Sequence, residues 1–115
     1  MPKLYRLSRA DFTSLRTLRK EHGSFFTLTI SKSPDNKPRF ACVVSKKTAH
    51  RASARNLIKR RCRAAIRKRP VKVPFAFVFT AKRSANEASY REISDDVTAL
   101  FVKGIASLKG SSELQ

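Results

Sequence analysis

Three observations in the sequence predict an α+β fold, a two-layer sandwich of one small mixed sheet with helices packed on it. Segments with apolar residues at alternate positions are interleaved with segments of helical period. Capping and turn residues fall at the junctions between them. The length of 115 residues and an apolar content of 41% suit a single domain, 1–115, with one core and a flexible tail at 109–115.

The elements follow in order. Ser8-Arg9-Ala10-Asp11 has the form of a helix start; Phe12, Leu15 and Leu18 follow at near-helical spacing, and Gly23 can cap the far end. A first helix over 9–21 is expected, with room for a short strand over 4–7 before it. "SFFTLTIS" then alternates Phe26, Leu28 and Ile30 with Phe25, Thr27 and Thr29, and "SPDNKP" supplies turn chemistry before "RFACVVS". Two antiparallel strands joined by a loop are the natural reading. Over 53–68, Ala54, Ile58, Cys62, Ala65 and Ile66 fall on one side of a helix, while Asn56, Lys59, Arg60, Arg63 and Arg67 gather on the other. Pro70 stops it. "PFAFVFTA" is aromatic and β-branched enough for a strand. Ser89-Tyr90-Arg91-Glu92 is a capping box that opens a last helix, with Ile93, Val97, Leu100, Phe101 and Leu108 along one stripe. The order is α-β-β-(β)-α-β-α.

Charge narrows the function. Lys and Arg number 26 against 8 Asp and Glu, a net charge of +18. Between Asp35 and Glu87 the chain carries no carboxylate at all. Such a balance calls for a polyanionic partner. A solvated face is the competing reading for any one cation, but the run sits on a patterned helix and acts as a group. Lys59, Arg63 and Arg67 recur at four-residue spacing, so their heads stand about 6 Å apart, near the phosphate repeat of a nucleic acid strand. Lys46, Lys47, Arg51 and Arg55 extend that field from the preceding strand into the helix.

Other chemistries find no support. A metal-dependent nuclease needs converging carboxylates or histidines. The adjacent acids Asp95 and Asp96 point about 100° apart on a helix and are read as solvent-facing. Cys42 and Cys62 complete no zinc ligand set with His22 or His50 and are expected to be small buried residues. The polypeptide alone is not expected to catalyse, nor to bind a cofactor. The chain begins Met-Pro-Lys without an apolar signal segment and has no run long enough to span a bilayer, so a cytoplasmic location without membrane contact is expected. Most of the phenylalanines belong in the core. Phe12, Phe26 and Leu28 are the candidates for an open platform on which unpaired bases would rest.

The stretch "RFACVVSKKTAHRASARNLIKRRCR" resembles the signature of the bacterial ribonuclease P protein family, an apolar strand ending in S-K-K followed by R-N-R-x-K-R-x-x-R on a helix. Ser45, Lys46 and Lys47 match the first part; Arg55, Asn56, Lys59, Arg60 and Arg63 match the second. Asp11-Phe12, the alternating first strand and Ala81-Lys82-Arg83 also fit, so the resemblance spans about residues 8–103. It implies a left-handed βαβ crossover, against the usual right-handed preference. It also implies a protein that joins a catalytic RNA, the complex removing the 5′ leader of precursor tRNA. In that scheme the RNA holds the Mg²⁺, and the protein grips the leader in a cleft between its sheet and first helix. Two positions depart: Leu57 stands where the second Arg is expected, and Arg61 stands where an apolar residue is. Four apart, they neighbour each other on the helix, so the cation has either moved one turn along or been lost. A structural RNA binder of ribosomal type is the alternative. A DNA-binding module is disfavoured, because no second helix stands at helix-turn-helix spacing.

Overall fold

The computed structural model describes residues 17–33, 37–68 and 73–109. Its elements are β1 (Thr17–His22), β2 (Phe26–Lys32), β3 (Arg39–Val43), α1 (Ala52–Arg67), β4 (Phe75–Ala81), a 3₁₀ turn (Arg83–Glu87) and α2 (Tyr90–Lys109). The sheet order is β1-β2-β4-β3, with β3 parallel to β4 and the other pairs antiparallel.

β4 explains that order. Phe75 to Phe79 are all buried, so this strand needs cover on both faces and neighbours on both edges. It therefore separates β2 from β3, and the hairpin expected between those two strands does not form. The hairpin is instead β1–β2, closed by the Gly23 amide donating to the Phe26 carbonyl at 2.8 Å. The helix expected over 9–21 is corrected in the same way over its described part. Thr17 to His22 have good helix formers among them, but pairing along the free edge of β2 overrides propensity. Residues 9–16 lie outside the described residues, as do the suggested strand at 4–7 and the tail beyond 109.

The pleat sorts the side chains into two faces. Phe26, Leu28, Ile30, Phe40, Cys42, Phe77 and Phe79 point to the side covered by both helices. Phe101 of α2 stacks edge-on against Phe40, Phe77 and Phe79, with ring centroids 5.0–5.8 Å apart. Ile58, Cys62, Ala65 and Ile66 of α1 complete that core, so the apolar stripe read from the sequence is the buried one. Gly104 lets α2 approach the sheet closely: a Cβ there would stand 2.6 Å from Ile30 Cδ1. The capping box is present, with Ser89 N donating to Glu92 Oε1 at 3.0 Å and Glu92 N to Ser89 Oγ at 3.1 Å.

One acid behaves otherwise than expected. The Asp96 carboxylate turns back onto the β1–β2 turn and accepts from the amides of Ser24, Phe25 and Phe26 at 2.9–3.0 Å. From the other side Lys82 Nζ donates to the Gly23 carbonyl at 2.6 Å and Ser84 Oγ to that of Ser24 at 2.7 Å. A Cβ on Gly23 would sit 2.6 Å from Asp96 Oδ1, so glycine is needed there for space. Asp96→Ala should lower unfolding stability by about 1–3 kcal/mol through the amides left unpaired. Asp95→Ala at the exposed neighbouring position should stay within about 0.5 kcal/mol. Urea denaturation of the two variants checks the difference.

Candidate nucleic-acid interface

The period of α1 sets this surface. With one stripe buried against β3 and α2, the opposite stripe must face water, and there the sequence places its cations. Ser53, Asn56, Leu57, Lys59, Arg60, Arg63 and Arg67 line a groove of about 540 Å³ along the helix. None of these cations has a carboxylate partner among the described residues. The first turn of α1 carries no acid, and Arg67 occupies the last, where the negative end of the helix dipole favours it. Arg63 is half-buried and its Nε is buried without a hydrogen-bond partner.

The loop before α1 is held by short polar contacts. Ser45 Oγ accepts from the Thr48 amide at 3.2 Å and lies 3.0 Å from Thr48 Oγ1. The Ser45 carbonyl accepts from the amides of Thr48 and Ala49 at 3.1 and 3.0 Å. Thr48 Oγ1 reaches the Ala81 carbonyl at the end of β4, and Asn86 Nδ2 donates to the Thr48 carbonyl. Lys46 and Lys47 therefore stand exposed at the tip of an anchored turn. Arg51 is exposed at the N-cap of α1. These three lie beside the groove without lining it.

Two arginines have structural duties. Arg55 Nη1 donates to the carbonyls of Ala49 and His50 at 2.9 and 2.8 Å, bracing the loop, so only the rest of its guanidinium is available to a ligand. Arg61 Nη1 donates to the Ala88 carbonyl at 2.9 Å, tying α1 to the entry of α2. Arg61 thus has a structural partner for one of its nitrogens, as Arg55 does. Leu57 puts an apolar side chain into the groove, and the charge at that position is absent.

The proposed base platform is corrected. Phe26 and Leu28 are 0% exposed and point at the helices, so no base can reach them from solvent. The alternation that selected them as a set also buries them. Phe12 lies outside the described residues. The opposite face of the sheet carries the intervening residues: Thr27 and Thr29 on β2, Thr80 on β4, and Ala41 and Val43 on β3. It is accessible around Thr27, Val43 and Thr80, while Ser31 and Ala76 at its far end are buried. Among the described residues no three His, Cys, Asp or Glu side chains gather where they could hold a metal ion. No described helix is long and apolar enough to cross a membrane.

The acid-free cationic helix face and the anchored S-K-K turn both fall within the stretch that resembles the ribonuclease P protein signature. The sequence model of the family Ribonuclease P matches residues 1–104. This chain belongs to the ribonuclease P protein family. The ribonuclease P protein component of Ralstonia pickettii (strain 12J) is 43% identical over 70 residues, 59% of this chain and 50% of that protein, so the match spans about half the length of this curated relative. The fold resembles that of the Staphylococcus aureus RNase P protein, with a TM-score of 0.72 at 20% identity over 87% of this chain and 94% of that one. It also resembles the RNase P protein from Thermotoga maritima, with a TM-score of 0.67 at 20% identity over 83% and 93% of the two chains.

The two kinds of arginine on α1 can be told apart. Replacing Lys59, Arg60, Arg63 and Arg67 together by Ala should flatten the slope of log RNA affinity against log salt by up to about three units, at about 0.7 per single-stranded contact. Arg61→Ala should leave that slope unchanged and cost about 1 kcal/mol of stability. A salt series by fluorescence anisotropy, paired with a urea melt, measures both. An unchanged slope in the fourfold variant would return these side chains to a merely solvated face.

Proposed function

We propose that this chain is the protein subunit of ribonuclease P, binding the catalytic RNA through α1 and the adjoining turn and assisting removal of the 5′ leader from precursor tRNA. The observation that carries this reading is the groove of Asn56, Lys59, Arg60, Arg63 and Arg67, whose cations have no acidic partner among the described residues. Phosphates released from their counterions supply the missing charge. The rigid helix makes their spacing a matter of geometry rather than of average field. Catalytic Mg²⁺ belongs to the RNA in this scheme, and the work is done in the cytoplasm.

The leader is assigned to the face of the sheet that the two described helices leave uncovered. Thr27, Thr29, Thr80 and Val43 offer small side chains over which an unpaired strand could pass, with Lys20 and His22 exposed on the neighbouring β1. This differs from Phe26 and Leu28 by one pleat position, which reverses the face.

Mixing the chain with a ribonuclease P RNA at low Mg²⁺ should yield 5′-matured tRNA from its precursor. The chain alone should cleave nothing at any Mg²⁺ concentration. Cleavage that survives nuclease treatment of the protein would overturn the assignment of catalysis to the RNA. Thr27→Glu with Thr29→Glu should weaken binding of a precursor with a leader of several nucleotides by about tenfold, on the order of 1.4 kcal/mol. Binding of a leaderless tRNA should change little. Leu28→Ala should instead destabilise the fold by about 2–5 kcal/mol and harm both equally. Equal losses for both substrates in the Thr variant, with an unchanged melt, would place the leader elsewhere.

A further inference from the structure

Cys42 on β3 and Cys62 on α1 are the only cysteines of the chain, and the fold brings their sulfurs to 2.8 Å from each other in the core. Both are free thiols. We propose that they form a dithiol–disulfide couple whose closure staples α1 to β3. The staple rests on this geometry alone; only its bearing on RNA depends on the function proposed above.

A disulfide needs a sulfur separation of about 2.05 Å, so closure requires an approach of less than about 1 Å. Side-chain rotation can supply that while α1 keeps its seat. The closed loop runs over the 20 positions from Cys42 to Cys62. It holds the anchored turn with Lys46 and Lys47, and the first turns of α1 with Arg55, Lys59 and Arg60. The bond would therefore restrain the RNA-facing segment in the unfolded chain and tie its helix to the sheet in the folded one.

The oxidant is a small-molecule disulfide such as oxidised glutathione. Cys42, the more exposed of the two at 8% against 0%, attacks one of its sulfurs as thiolate, forming a mixed disulfide and releasing one small thiolate. The Cys62 thiolate then attacks the Cys42 sulfur, makes the internal bond and expels the second. The two cysteine protons end on the two released thiols, and the two electrons lost by the protein reduce the small disulfide. Burial, with the hydrogen bond to Cys42 adding to it, pushes the Cys62 thiol well above its usual range. Closure is accordingly slow in the packed core and proceeds when α1 opens locally. Where thioredoxin and glutathione hold thiols reduced, the pair stays open and closes under oxidative load.

The test uses the full chain, free of RNA, incubated with oxidised glutathione and compared with its own dithiol form, so that no core substitution is required. The expected product is a monomer lighter by two hydrogens, with a melting temperature raised by at least about 5 °C and restored by dithiothreitol. Its RNA affinity should stay within about twofold of the dithiol form. Glutathione retained on the cysteines, a disulfide-linked dimer, or no reaction even after a cycle of unfolding in oxidant would overturn the couple. An internal bond that lowers the melting temperature, or costs more than tenfold in RNA affinity, would show that α1 had been pulled from its seat.

Discussion

The burial of β4 is the constraint on which the rest of the structure depends. A strand with Phe75, Ala76, Phe77, Val78 and Phe79 all buried has no tolerable place at a sheet edge. With β2 antiparallel on one side, β3 is left the other, and there it runs parallel. Parallel neighbours cannot be joined by a tight turn, so the chain between them must cross over one face. That crossing segment is α1. Its Ile58, Cys62 and Ile66 then face the sheet, and its cations face water. The cationic face is thus a consequence of sheet order as much as of charge.

Much of this was legible in the sequence because it rests on local period. The stripe through Ile58, Cys62 and Ile66, the alternation in β2 and the Ser89–Glu92 box each declare an element within a few residues. What was not legible depended on partners far along the chain. Thr17 to His22 carry helix formers, and only the open edge of β2 makes them a strand. The place of β4 between β2 and β3 cannot be read from either neighbour. Asp96 looks like any helix acid until the β1–β2 turn, some 70 positions earlier, offers it three amides.

The candidate site divides along the same line. That a cationic face existed was clear from spacing, but the duties of individual arginines were not. Arg55, Arg61 and Arg63 look alike in the sequence. In the fold the first braces a loop, the second ties two helices, and the third keeps a buried donor without a partner. Phe26 and Leu28 fail as an open platform for a simple reason. Alternation identifies a pair of faces but does not say which of them the helices cover, and an apolar set such as Phe26 and Leu28 is the one that helices cover first. Thr27 between them is small and polar and takes the other face.

The central claim is that the chain meets the catalytic RNA with α1 and the adjoining turn while α2 and the outer edge of β1 stay in solvent. Lysine reactivity tests it most directly, because lysines lie on all of these surfaces. Acetylation read by mass spectrometry, with the chain free and then bound to a ribonuclease P RNA, should show Lys46, Lys47 and Lys59 protected on binding, while Lys20 on β1 and Lys103 on α2 react as before. Protection of Lys103 with unchanged reactivity at Lys46, Lys47 and Lys59 would contradict the account.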